Sequence, residues 1–401
     1  MSVEFFIAWR YLKARRKGVF TLLTTIIAVG GITLGVAALI ITIAVMTGFQ
    51  KDIREKILGI QPHLIVTKES NMEFSEYPQI EKEIKRNKLV TAAAPFVMGQ
   101  AILRHRNFTT GIVLKGIDFK KEDLIVNLSR ILVKSEKNFN IGENEILVGN
   151  ELARNLSVMP GDEIILMSQG QIAMIPRMEK FRVKQLFHSG MYEYDSNLAF
   201  ISLQTAQKLF QLKNSISGIG VSVKNWENAD VIEREIQEYV AYPYWVRSWY
   251  RMNKNLFAAL KLEKIMMFII LALIIIVASF NIISNLLLLS VEKSKEIGIL
   301  SAIGMSRKKI SKIFFYEGII IGLSGIVTGI FLGVGLSLIL KKYQFIHLPQ
   351  DVYYLDKLPV KIIPADIFGI TVAALIITVL AAVYPAYQVT KLDPLEAIRY
   401  G

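Results

Sequence analysis

The chain has 401 residues of which 52% are hydrophobic, and its mean hydropathy is positive, so it holds more apolar side chain than one soluble core needs and part of it must face lipid. A formal net charge of +13 raises the question of nucleic acid, but much of the basic excess flanks apolar windows, where it meets anionic headgroups, and no nucleic-acid partner is expected. The absence of cysteine excludes disulfides and thiolate metal sites.

The segment 1–21 carries Arg10, Lys13, Arg15, Arg16 and Lys17 and leads into the first of four windows free of Asp, Glu, Lys, Arg and His: 22–46, 265–291, 318–340 and 367–388. About 20 such residues cross a bilayer. The first window is far longer than the ~7 to 15 residues of a cleavable signal core and reads as a retained anchor. Lys and Arg crowd 1–21 and the segment 292–312 between windows two and three, which places both, and hence both termini, on the cytoplasmic side.

From 47 to 264 the composition turns globular, and the segment is long enough to bury its own core as an α+β domain of two subdomains. Strands are predicted at 63–67, 96–104, 110–117, 164–167, 181–187, 198–201 and 219–223, helices at 80–87, 203–210 and 230–239, a strand passing into a short helix at 146–156, and a polar connection at 189–197. The expected fold class is therefore an α-helical membrane protein of four transmembrane helices with a large α+β extracytoplasmic domain between helices one and two. The remaining segments are the third span within 313–340, an outer loop 341–366, the fourth span and a tail 389–401.

Chemistry is sparse. No phosphate loop occurs, and His63, His105, His188 and His347 lack the spacing of a helical metal pair. No metal, cofactor or catalytic residue is expected. His188, Ser189 and Asp195 supply the residue types of a hydrolytic triad, but without a nucleophile elbow they read as a polar loop. The spans carry only mild polar groups, Asn281, Ser284 and Asn285, better suited to interhelical hydrogen bonds than to substrate. Gly31 with Gly35, and Gly318, Gly322, Gly325, Gly329 and Gly333, allow close helix approach to a neighbour in this chain or another.

The segment from Glu292 to Lys312 pairs a charged start with Ile297, Ile299, Leu300 and Ile303, then breaks at Gly304 and restarts after Ser306. From physical chemistry, a helix lying on the membrane surface and a docking helix for a cytoplasmic partner stand equal.

Resemblance decides between them. The stretch Glu292 to Ser306 resembles the coupling segment of the MacB/FtsX-type permeases, and Tyr384-Pro-Ala-Tyr-Gln-Val-Thr-Lys-Leu-Asp-Pro-Leu-Glu-Ala-Ile-Arg resembles their C-terminal signature. Phe6-Ile-Ala-Trp-Arg-Tyr-Leu, Gly35-Val-Ala-Ala-Leu through Val45-Met-Thr-Gly-Phe-Gln, Ile57-Leu-Gly-Ile-Gln-Pro-His and Ser189-Gly-Met-Tyr-Glu-Tyr-Asp-Ser extend the likeness end to end, to the LolC/LolE-type subunits of lipoprotein-releasing ABC transporters. A MacB-like efflux or mechanotransmission permease and an FtsX-like signalling or scaffold protein are the alternatives. No nucleotide-binding domain precedes the first span, and the outer segment is large for the FtsX type.

The resemblance implies an inner membrane of Gram-negative type, a second permease copy or paralogue, two copies of a separate ATPase, lipoprotein cargo and a periplasmic chaperone. It assigns coupling to Glu292, Lys295, Glu296, Ile297, Leu300, Gly304 and Met305. Met46 matches a cavity methionine of the family; Phe49, Met266 and Met267 join it by comparable depth as lipid or lipoprotein contacts, against the plain reading of ordinary apolar residues. Gln169, Gly170, Ile175, Pro176, Arg177 and Met178 occupy the place of the chaperone-binding hook, in a loop shorter than the family's usual one, for which a plain hairpin is the other reading.

Overall fold

The computed structural model describes residues 2–13, 19–134, 139–168, 177–343 and 358–389. Gln169, Gly170, Ile175 and Pro176, and the signature beyond Val389, lie outside the described residues. Two compact units divide the rest, one comprising 2–50, 260–343 and 358–389 and the other lying within 51–259.

Among the described residues four helices are long and apolar enough to cross a membrane: Val19–Ile60, Lys254–Glu292, Arg307–Tyr343 and Pro364–Gln388, the first to fourth spans. Helices meet every backbone hydrogen bond internally, as a bilayer core requires. The first three run well past their uncharged windows, because a helix continues into water wherever local pairs support it; Lys51 and Glu55, spaced i, i+4, form one such pair on the first (3.2 Å).

Within the membrane unit the glycines of the third span meet spans of the same chain. A Cβ on Gly318 would lie 2.7 Å from the Ala382 Cβ and one on Gly322 would lie 1.9 Å from the Thr378 Cγ2, both on the fourth span. On Gly325 and Gly329 it would lie 2.9 Å from the Ile32 Cβ and 2.8 Å from the Val36 Cβ, both on the first. Thr33 adds bonds from the first span to the Gly325 carbonyl (3.2 Å) and the Thr328 hydroxyl (2.7 Å). Asn285 of the second span accepts from Thr24 (2.8 Å) and donates to Thr25 (3.3 Å), the interhelical role expected of it.

One carboxylate modifies the charge-free picture of the spans. Glu317, immediately before the third window, is completely buried on the packed face of its helix with Phe314 and Ile321. A window defined by lack of charge stops at such a residue, whereas the helix and its packing do not.

The second unit is built on nine strands: β1 (Leu64–Lys68), β2 (Val90–His105), β3 (Phe108–Ile117), β4 (Glu145–Gly149), β5 (Glu163–Ser168), β6 (Arg177–Phe187), β7 (Leu198–Ser202), β8 (Gly218–Val223) and β9 (Tyr244–Ser248). Their order is β3-β7-β4-β6-β5-β2-β8-β1-β9, with β2 also paired to β3. Six strands therefore close into a ring, and the first half of β2 leaves it to join β8, β1 and β9 in an open sheet. Side chains of period two fill the ring: Leu103 pairs with Leu166 across β2 and β5, Ala101 with Ile112 across β2 and β3, and all four are buried.

The sequence reading shortens β2 to 96–104, since Val-Thr-Ala-Ala-Ala-Pro is weak strand material and its pairing to β8 is tertiary. It passes over β9 and the helix Phe119–Val126, capped by Asp118. The polar connection at 189–197 contains the helix Tyr192–Asn197.

Candidate functional site

At the outer ends of the spans, Thr47, Lys264 and Asp366 from three different helices converge. The Lys264 ammonium donates to the Thr47 hydroxyl (3.0 Å) and pairs with Asp366 (3.6 Å), and Thr47 donates to the same carboxylate (3.2 Å). Gln50 donates to the Leu260 carbonyl (3.0 Å) and the Lys361 amide to the Ala44 carbonyl (2.9 Å). Met46 and Phe49, both half-buried, lie among these anchors; Met267 is half-buried and Met266 is 49% exposed, both within one turn of Lys264. Sequence alone does not mark these polar anchors as a group, although Lys264 and Asp366 are the residues that bound their uncharged windows.

Between the second and third spans a helix Ser294–Ala302 follows the second span, Gly304 takes a left-handed φ of +97°, and the third span begins at Arg307. The break sits where the sequence places it, because only glycine adopts that conformation without strain. Ile297 is buried in a cluster with Leu289, Ile310, Phe314, Ala386 and Val389, against which Met305 packs. These two residues hold the segment to its own spans. Leu300 is half-buried, Glu292, Lys295, Glu296 and Gly304 are exposed, and the large apolar side chains presented outward are Ile299 (51% exposed) and Ile303 (79%). The helical spacing of four between those two isoleucines is the signal that could have singled them out.

The N-terminal helix Val3–Lys13 joins this site. Phe5 meets Tyr316 edge-on (5.9 Å between ring centroids), and the Lys293 ammonium, bonded to Glu296 (2.5 Å), lies 5.4 Å from the centre of the Tyr11 ring. Burial, then the Glu296 charge, pushes the Tyr11 phenol well above its ordinary range, so it stays protonated.

In the second unit β5 and β6 flank 169–176. Met178 pairs with Met167 and is 66% exposed; Arg177 pairs with Ser168 and donates to the Lys208 carbonyl (3.4 Å). His188, Ser189 and Asp195 do converge, but as a clasp. Buried Asp195 accepts from the Ser189 amide (2.8 Å) and hydroxyl (2.7 Å) on one oxygen and meets His188 Nδ1 (2.8 Å) on the other. The serine proton goes to carboxylate rather than imidazole, so no nucleophile and base are paired. Lys56 donates to the Gly190 carbonyl (2.7 Å) and Gln61 to the Tyr194 hydroxyl, fastening residues 51–61 to this clasp.

Four apolar helices with a large α+β domain between the first two define a MacB-like membrane permease, and the family matches agree: residues 25–239 match the MacB-like periplasmic core domain and 268–394 the FtsX-like permease C-terminal domain. The chain is 34% identical to the lipoprotein-releasing system transmembrane protein LolC of Xylella fastidiosa (strain 9a5c), over 98% of each chain. It is 32% identical to LolC of Neisseria meningitidis serogroup B, over 100% of this chain and 99% of that one, and 27% identical to LolE of Haemophilus influenzae, over 99% of each. The chain belongs to the LolC/LolE family of lipoprotein-releasing transmembrane proteins. Among solved structures it is similar to the periplasmic region of MacB from Actinobacillus actinomycetemcomitans, at 14% identity and a TM-score of 0.34 over 52% of this chain and 97% of that one, a superposition too loose to fix residue correspondences.

Proposed function

We propose that this chain is the permease subunit of an ABC transporter that extracts lipoproteins from the outer leaflet of the inner membrane and passes them to a periplasmic chaperone. The observation that carries this reading is the end-to-end similarity to proteins named for lipoprotein release, 34% identity across 98% of the chain. The chain itself is non-catalytic in this scheme. ATP is hydrolysed by two copies of a separate subunit, both termini face the cytoplasm, and a second permease, identical or paralogous, completes the membrane cavity. External work is needed because each CH2 of an acyl chain brought into water costs ~0.8 kcal/mol.

On the segment boundaries expected from sequence, the coupling segment is 292–312 and the periplasmic α+β domain is 47–264. The ATPase docks on Ile299, Leu300 and Ile303 beside Glu292, Lys295, Glu296 and Gly304, supported from within by Ile297 and Met305. The support for that face is two exposed isoleucines on a segment whose other exposed residues are charged or small, the apolar centre a docking partner needs. Ile303→Asp is expected to abolish co-purification of the ATPase in mild detergent while the permease elutes as before; retention of the ATPase would remove this face from the scheme.

Met46, Phe49, Met266 and Met267 line the lipid-binding cavity, and Arg177 and Met178 mark the base of the chaperone-binding hook formed with Gln169, Gly170, Ile175 and Pro176. Thioether side chains suit varied acyl chains because they repack readily. Reconstituting the chain with its ATPase, chaperone and a triacylated cargo in proteoliposomes tests the whole reading: ATP-dependent transfer of cargo to the chaperone is expected, and its absence would overturn it. In the same assay Met46→Asp is expected to cut transfer at least about tenfold, since a carboxylate at membrane depth costs a few kcal/mol. Unchanged transfer would take Met46 out of the cargo path.

A further inference from the structure

A cavity of the second unit has a volume of about 980 Å³ and lies on the outer face of the strand ring. Its wall follows from register. Met98, Gln100 and Ile102 alternate along β2 away from the ring interior, and pair with Lys115, Val113 and Gly111 of β3; Ile102 also pairs with Met167 of β5. An outward sheet face is ordinarily polar, yet Met98 is 46% and Ile102 44% exposed here. Exposed apolar side chains gathered in a concave wall mark a binding site rather than scattered surface residues.

We propose that this cavity receives an acyl chain of the lipoprotein cargo after it leaves the membrane, a staging site on the soluble domain; the inference rests on the function proposed above. Three observations select an aliphatic chain. First, the volume sits at the upper end of the ~300–1,000 Å³ of a cleft that takes one small ligand. Second, among the described residues β2 is paired to β3 throughout this region and to β5 at Ala101–Arg104, and β3 also to β7 at Val113–Ile117, so most of the wall's backbone is already engaged and an extended peptide has little edge to join as an added strand, the usual mode by which such peptides bind a sheet. Third, Met98 and Met167 give the wall side chains that adapt to chains of different length, and β2 from Phe96 to Ile102 spans ~20 Å at ~3.3 Å per residue, the scale of an extended long-chain acyl group. Lys115 lies at one end of that wall with its charge neutralised by Glu122 (2.6 Å), so it adds no free cation to the apolar wall.

The test uses the full complex with its ATPase in proteoliposomes and, as probe, a diacylated lipopeptide whose long acyl chains are both ester-linked and radiolabelled. Benzoylphenylalanine replaces Met98, or, as control, the exposed Leu124 outside the cavity lining. Illumination during ATP turnover is expected to give several-fold more adduct at position 98 than at 124. Mild base, which cleaves the esters, is expected to strip the peptide and leave the acyl label on the permease. An adduct that keeps the peptide and loses the label, or no adduct above the control, would overturn the proposal. Ile102→Asp added to the position 98 variant is expected to reduce the adduct several-fold; no reduction would count against the cavity as the source. Transfer of cargo to the chaperone is measured in the same vesicles, so failure of the staging site with transfer intact is distinct from failure of the transport function itself.

Discussion

Gly322→Leu is expected to prevent the membrane unit from folding stably. A Cβ at that position would sit 1.9 Å from the Thr378 Cγ2, and Thr378 is itself buried on the fourth span. Overpacking a well-filled core costs ~1–3 kcal/mol when neighbours can shift; here the obstructing atom is held by a β-branched side chain stiff at its first torsion, and Gly318 makes a second close approach one turn earlier. The two helices would have to separate, exposing the surfaces that small residues bring together. Gly335→Leu on the same helix is the control, because no atom lies within 4 Å of its added Cβ. Thermal unfolding in mild detergent is expected to show a much lower midpoint, or aggregation, for Gly322→Leu alone, with Gly322→Ala/Thr378→Gly restored towards the parent. Equal midpoints for the 322 and 335 variants would refute the packing argument.

The second large effect is expected in the soluble domain. Lys115 and Glu122 form an ion pair of 2.6 Å whose side chains are 6% and 1% exposed, the lysine also lying 5.1 Å from the centre of the Phe96 ring. Two charges taken out of water roughly offset their desolvation only while both are present; removing one leaves the other buried and uncompensated, at ~3–5 kcal/mol. Lys115→Met is therefore expected to destabilise the domain by about that amount, and Glu122→Leu similarly. The double variant Lys115→Met/Glu122→Leu is expected to recover most of the loss, as an apolar pair of similar volume carries no unpaired charge. Chemical denaturation followed by tryptophan fluorescence measures all three; additive single-variant losses would show that the two side chains act independently.

Much of the membrane half was legible in the sequence. Long runs such as 22–46 and 367–388 declare themselves because a bilayer demands both length and apolarity, and Gly304 declares the break in the segment 292–312 because few other residues tolerate its φ of +97°. The roles of Asn285 and of the third-span glycines followed from residue type, but their partners did not. The segment after the second span shows the same division. Spacing placed an amphipathic segment after Glu292, while only packing revealed that Ile297 and Met305 turn inward and that Ile299 and Ile303 turn out.

What the chain determined through local chemistry alone was its set of spans, most of its strands and the family it resembles, since each depends on composition or on short contiguous motifs. Tertiary structure alone decided the rest. The closure of β2 and β3 into a six-stranded ring, the departure of the first half of β2 into a second sheet, the meeting of Thr47, Lys264 and Asp366, and the turning of Asp195 towards Ser189 and His188 all join residues distant along the chain or choose among equivalent local partners. Such pairings are selected by which surfaces can be buried together without leaving a charge or a hydrogen-bond donor unmatched, a condition no short stretch of sequence contains.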